Sequence, residues 1–183
     1  MITGPSGVGK GTLIAALRAG LPQLELSVSA TTRPPRPGEL GGRDYHFLAP
    51  EQFERLVSED AFLEHADYSG HRYGTLRSEV DERLERGAPV VLEIEVQGAR
   101  QVRATMPEAV QVFIAPPSPA DLRRRLEGRG TDDPQAIERR MRVAASELEA
   151  RGEFAHVVVN DEIERAAAEL EEIVRGQLSL DSC

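Results

Sequence analysis

Gly4-Pro5-Ser6-Gly7-Val8-Gly9-Lys10-Gly11-Thr12 is the stretch on which the reading of this chain turns. Lys and Arg together number 22, and Lys10 is the only lysine among them. A compact ammonium fits among backbone N–H groups around a polyphosphate, where the planar guanidinium fork is too large. The glycines let the backbone fold into a nest of N–H donors, and a following helix adds partial positive charge at its N-terminus. Such a helix is expected, because Leu13, Ile14, Leu17 and Leu21 form an apolar stripe at helical spacing. Ile2-Thr3 reads as the end of a strand feeding the loop. The competing reading is a plain Gly/Pro turn with one leftover lysine. The strict phosphate-loop pattern places Ser or Thr directly after the lysine. Here Gly11 stands there and Thr12 comes one place later. A magnesium ion would then be held more by phosphate oxygens and water, which suits its chemistry.

The bulk numbers set the frame. A length of 183 residues fits one domain with room for an inserted lobe. Hydrophobic residues make up 40%, enough for a core. The net charge of −9 argues against a general nucleic-acid-binding surface, which would be basic. The one cysteine, Cys183, excludes an internal disulfide and fits a reducing compartment. No apolar run approaches the roughly 18 residues of a membrane span, and no signal-peptide pattern precedes the loop. The expectation is a cytoplasmic protein, with the oligomeric state left open. Only three residues precede Gly4, short against the usual five or six of a strand. The expectation is that the natural start lies upstream or that this strand is incomplete.

Strand and helix signals alternate along the chain. Residues 24–31 alternate like a strand. Residues 32–38, Thr-Arg-Pro-Pro-Arg-Pro-Gly, suit neither helix nor central strand. Asp44 to Leu48 reads as strand, Pro50 opens a short helix, and 61–68 reads as strand. Leu76, Val80 and Leu84 mark a helix closed by Gly87. Residues 89–96 read as a strand, with a helix from about Gly98 to Met106 and a buried strand from Val110 to Ala115. Ser118-Pro119 and Asp133-Pro134 are helix starts, a capping side chain followed by proline at the first helical position. Residues 156–159 read as a last strand. Asp161 then caps a helix with Ile163, Ala167, Leu170 and Val174 turned inward. The alternation predicts a parallel α/β sheet flanked by helices. Residues 30–88 interrupt it and read as a small inserted lobe.

Two arginines, Arg33 and Arg36, stand three apart on the Pro-stiffened segment. Stiffness lowers the cost of holding guanidinium forks around a phosphate. Taken alone, a solvated basic loop explains them as well. Between 123 and 142 there are seven arginines, and a solvated charged helix explains most of them. The four histidines have no metal-site spacing and read as structural.

Several segments occur in the order found in guanylate kinases. They are Gly4–Thr12, Ser29–Arg36 with Gly41-Gly42-Arg43-Asp44-Tyr45, Phe62-Leu63-Glu64, Tyr73-Gly74-Thr75, Leu92–Gly98, Arg125–Gly130 and Val159-Asn160-Asp161. Over essentially its whole length the chain resembles the bacterial guanylate kinases, P-loop nucleoside monophosphate kinases. The loop variant with Gly11 after the lysine also looks more like nucleotide kinases than switch GTPases. The resemblance implies a P-loop NTPase core over 1–29 and 89–183, a GMP-binding lobe over 30–88 and a lid over about 123–142. It implies the reaction ATP + GMP ⇌ ADP + GDP with Mg²⁺, with dGMP as a further acceptor.

Carried over by segment, the resemblance implies that Gly4, Pro5, Ser6, Gly7, Val8, Gly9, Lys10, Gly11 and Thr12 hold the ATP phosphates. Arg33, Arg36, Tyr45 and Tyr73 would hold the GMP phosphate. Ser29, Glu64, Thr75 and Glu93 would surround the guanine. Guanine offers donors at N1–H and its amino group, and an ionised carboxylate is an acceptor-only partner. Glu93 and Glu95 sit near the C-terminal end of a core strand, where α/β ligand sites form; one of them could orient the water around the metal. Arg125, Arg129 and Arg140 would be lid arginines closing on the transferring phosphoryl group, with Lys10 the fourth catalytic group. Asn160, the only asparagine, lies in the segment that contacts adenine and equally suits a helix N-cap. Two alternatives stay open. One is a small P-loop kinase with another acceptor. The other is an inactive guanylate-kinase-like interaction module, against which the intact Lys10 loop and lid arginines argue.

Overall fold

In chain order, the elements of the computed structural model begin with β1 (Ile2–Thr3), α1 (Lys10–Gly20), β2 (Glu25–Leu26), β3 (Ala30–Thr31) and β4 (His46–Phe47). Then come α2 (Pro50–Ser58), β5 (Phe62–Tyr68), β6 (His71–Leu76), α3 (Arg77–Glu85) and β7 (Val90–Val91). The chain continues with α4 (Val96–Thr105), β8 (Val112–Ala115), α5 (Pro119–Glu127), α6 (Pro134–Glu149), β9 (His156–Val159) and α7 (Ile163–Leu180). The structure describes residues 1–68, 70–128 and 133–180. Arg129 and Cys183 lie outside the described residues.

The chain divides into two compact units, residues 1–22 with 110–183, and residues 23–109. In the first unit β1, β8 and β9 form a parallel sheet in the order β1-β8-β9. All four residues of β8 are buried, as befits a strand covered on both faces. Leu13, Ile14 and Leu17 give α1 its buried stripe, and α1 packs on α7. Ser118 caps α5 by accepting from the Asp121 amide, and Asp133 caps α6 by accepting from the Ala136 amide. Each cap supplies about 1 kcal/mol to its helix.

The second unit holds a four-stranded sheet in the order β4-β3-β6-β5 and a separate parallel pair, β2 with β7. Phe53 of α2 stacks on Phe62, their ring centroids 4.4 Å apart, and with Ala30 they form a buried apolar cluster.

Several expectations need correction. Residues 24–31 are not one strand: Glu25–Leu26 pairs with β7, whereas Ala30–Thr31 joins the other sheet. Of the strand expected over 89–96 only Val90–Val91 forms a regular ladder, with an isolated bridge at Glu93, because the chain then turns into α4, which starts at Val96 and not at Gly98. His71–Leu76 is a strand without a clean apolar alternation; pairing with β5 on one side and β3 on the other makes it one. Asp44–Leu48 shrinks to His46–Phe47. In α7 Leu170 is fully buried as expected, but Ala166 is the buried alanine in place of Ala167, and Ile163 is exposed. Residues 23–29 and 89–109 also group with the lobe expected over 30–88. The β2–β7 pairing holds them there, as do two bonds from Gln101 of α4 to the His65 backbone.

Candidate active site

The glycine-rich loop joins β1 to α1, as its sequence requires. Gly9 is the N-cap of α1 with φ +97°, a left-handed conformation, and a Cβ there would lie 2.6 Å from Asn160 Nδ2. Only glycine meets both conditions. Lys10 is the first residue of α1, and its side chain, 8% exposed, donates to the Gly4 carbonyl across the loop. Its ammonium is therefore buried against the start of the loop. Thr12 is exposed in the first turn of the same helix.

Three other elements grip the loop. The Val8 carbonyl accepts from Arg125 Nη1 at 3.1 Å and from Asn160 Nδ2 at 2.8 Å. Arg125 Nη2 donates to the Asn160 carbonyl at 2.7 Å, so one guanidinium bridges the loop and the end of β9. From α6, Arg140 Nη2 donates to Ser6 Oγ at 3.0 Å. Sequence positions more than a hundred residues apart thus converge on Ser6 and Val8. The helix-cap reading of Asn160 fails, because α7 begins at Ile163 and the Asn160 amide nitrogen faces the loop. Its Oδ1 is buried without a hydrogen-bond partner.

The second unit contains an open pocket lined by Ser29, Tyr45, Glu64, Tyr73, Glu93 and Glu95, among others. Burial first, and then the charge of Glu93, push the Tyr45 hydroxyl upward in pKa. The Tyr45 and Tyr73 rings stand 6.1 Å apart, edge to face, and the Arg33 guanidinium lies 5.2 Å from the Tyr45 ring centroid. Arg33 is fork-paired to Glu39 at 2.9 and 3.0 Å. Glu39 also accepts from the Arg36 backbone amide at 2.7 Å, while Arg36 itself is exposed. The Pro-stiffened loop therefore holds one of its two arginines by a carboxylate. Glu39 was not singled out from the sequence; its only signal is a carboxylate six places after Arg33.

Glu64 is the central group of this pocket. It is 4% exposed, and its Oε1 accepts from Thr75 Oγ1 at 2.7 Å. Thr75 is fully buried. Desolvation pushes the Glu64 carboxyl up to about 7, and the charge of Glu95 adds to the effect against the Thr75 bonds. Glu95 Oε2 is buried with no hydrogen-bond partner. Three carboxylates thus present acceptors to one cavity. A register shift between Phe62 and Glu64 turns the side chain into that cavity. In a regular strand these two residues would share a face. The extra residue instead leaves Phe62 in the apolar cluster and Glu64 opposite Thr75.

Among the described residues no three His, Cys, Asp or Glu side chains converge as a metal site. A magnesium ion of the nucleotide fits this arrangement if phosphate oxygens and water supply its ligands. The exposed Thr12 hydroxyl is the protein oxygen at the start of α1 suited to join them.

A family model described as guanylate kinase matches residues 1–177. The chain is 55% identical over 171 residues to a guanylate kinase of Synechococcus sp. (strain CC9311), covering 93% of this chain and 90% of the relative. It is 55% identical over 175 residues to one of Rubrobacter xylanophilus, covering 96% and 92%. The crystal structure of guanylate kinase from Anaplasma phagocytophilum superposes with a TM-score of 0.77 at 34% identity, over 96% of this chain and 83% of that one.

Proposed function

From the premise that this chain belongs to the guanylate kinase family, we infer how its residues perform the transfer of the ATP γ-phosphoryl group to GMP. The chain is an ATP:GMP phosphotransferase with a P-loop NTPase fold. Lys10 and the amides of Gly4–Thr12 hold the ATP phosphates. The buried ammonium, bonded across the loop to the Gly4 carbonyl, supports that reading. Arg140 from α6 reaches the same loop and is the group best placed to meet charge on the transferring phosphoryl. Arg125 acts with Asn160 on the Val8 carbonyl, which supports a role in shaping the loop beside any contact with phosphate.

The acceptor side rests on Glu64, and its buried carboxylate in the pocket is the single observation that carries the assignment. Guanine presents N1–H and an amino group, two donors on one edge, and an ionised carboxylate accepts from both. Adenine has an acceptor at N1 and meets Glu64 badly. Ser29, Glu93 and Glu95 complete the base pocket, Thr75 stands buried behind Glu64, and Tyr45, Tyr73, Arg33 and Arg36 face the acceptor phosphate. Glu39 holds the Arg33 fork in the same bidentate geometry that a phosphate accepts, so it keeps the fork formed before the nucleotide arrives. dGMP is an acceptor too, since these groups address base and phosphate.

Mg²⁺ bound to the nucleotide neutralises phosphate charge in the transition state. The acceptor phosphate, with a second pKa of about 6, is already largely ionised near neutrality. No general base is therefore needed, and positioning with charge neutralisation carries the rate. The site of action is the cytoplasm, in keeping with nucleotide substrates. A coupled ADP-release assay over a panel of nucleoside monophosphates tests the whole reading. GMP and dGMP should be phosphorylated and AMP, CMP and UMP should not. Equal turnover of AMP would remove the guanine assignment, and no turnover of any would leave an interaction module.

A further inference from the structure

We propose that Gly98 is a positioning residue for guanine recognition, its missing side chain making the space in which the Glu64 carboxylate stands. The proposal rests on the reading of Glu64 as the guanine acceptor. Gly98 is the third residue of α4 and is buried. Its backbone is helical and does not adopt the positive φ that calls for glycine. In a helix glycine is less favourable than alanine. The backbone therefore gives no reason for glycine here; the space does.

A Cβ at Gly98 would lie 2.1 Å from Glu64 Oε2, 2.9 Å from Cδ and 3.3 Å from Cγ. Those three atoms are the nearest to it, and all belong to Glu64. The other oxygen, Oε1, is tied to Thr75 Oγ1 at 2.7 Å. The carboxylate is thus confined between the Thr75 hydroxyl and the bare face of the first turn of α4. That turn also carries the positive end of the helix dipole, which favours an anion. Any side chain at 98 forces the carboxylate to break from Thr75 or to swing into the cavity where the base would lie. The moving part is the end of one flexible side chain, so the fold has no need to change.

The experiment is Gly98→Ala, with steady-state kinetics in both substrates and thermal melting, beside Glu64→Gln. The expected result is a KM for GMP raised about tenfold or more, the effect of leaving a base donor without its acceptor. The KM for ATP should stay within about twofold, and the Tm should fall by no more than a few degrees, since the helical preference for alanine offsets part of the lost Thr75 bond. The second arm adds Gly98→Ala to Glu64→Asp. The shorter side chain withdraws the carboxylate from residue 98, so the added change should raise the KM for GMP by less than about threefold. An unchanged KM for GMP in Gly98→Ala, with GMP recognition lost in Glu64→Gln, overturns the proposal and leaves the Glu64 reading intact. No loss in either variant overturns both. An equal effect in the native and Glu64→Asp backgrounds, or a parallel rise in the KM for ATP with a lowered Tm, would mean a general packing role and also overturns it.

Discussion

At the scale of single residues, Glu64 sets stability and recognition against each other. Its carboxyl titrates at about 7, against 4.5 for an ordinary glutamate, chiefly because it is desolvated. Between those values the unfolded chain has released a proton that the folded chain keeps. Stability accordingly falls as pH rises through this window, by on the order of 3 kcal/mol in all. Recognition runs the other way, because only the ionised carboxylate accepts from both guanine donors. The kcat/KM for GMP should rise through pH 7, above the step of the substrate's own phosphate near pH 6. Glu64→Gln should lose the step near 7 and keep the one near 6. It should also lose about tenfold to a hundredfold in kcat/KM for GMP, since one amide group turns a donor toward a donor. The same variant should melt higher than the native chain at pH 8, where no buried charge remains to be desolvated. A pH profile and a melting curve check both, and parallel losses on GMP and AMP would mean that Glu64 supports the fold and does not read the base.

Among the elements, the end of β9 and the middle of α6 act on the phosphate loop, and each predicts a separable loss. Asn160→Ala removes one of the two side-chain donors to the Val8 carbonyl and leaves the Arg125 bridge, which ends on the backbone carbonyl of residue 160. A lost buried hydrogen bond costs about 1–3 kcal/mol. The Tm should drop by several degrees and the KM for ATP should rise several-fold, with the KM for GMP unchanged. Arg140→Ala should lower kcat far more than it raises either KM, because a cation aimed at the phosphoryl group acts mainly in the transition state. A variant whose only change is a higher KM for ATP would make Arg140 a binding residue. Element ends were partly readable beforehand. Ser118-Pro119 and Asp133-Pro134 mark the starts of α5 and α6 because capping is a local interaction, complete within four residues. The strand His71–Leu76 was not readable, since its partners lie in β5 and β3 and its own pattern carries no alternation. The face of Glu64 was not readable either: period two places it with Phe62, and the register shift that separates them exists only between paired strands.

For the whole molecule, the two units predict a division of ligands. Lys10 belongs to the unit of residues 1–22 with 110–183, and Glu64 belongs to residues 23–109. Lys10→Met should reduce turnover more than tenfold, as loss of a group on the transferring phosphates implies, while GMP binding by calorimetry stays native. An equal loss of GMP affinity would count against the assignment. The net charge of −9 makes local cations decisive, since two polyanionic nucleotides must bind to an acidic protein. The sequence by itself determined the phosphate loop, the alternating α/β order, the starts of α5 and α6 and, through the segments shared with guanylate kinases, the reaction. All of these depend on residues close together in the chain or on ordered short motifs. Only the tertiary structure decided that residues 23–29 and 89–109 group with residues 30–88 in one unit. It alone decided that Asn160 and Arg125 hold the Val8 carbonyl, that Glu39 holds the Arg33 fork, and that Gly98 leaves room for Glu64. Each of these is a contact whose geometry depends on how the chain packs, and a one-dimensional pattern carries no distance between such residues.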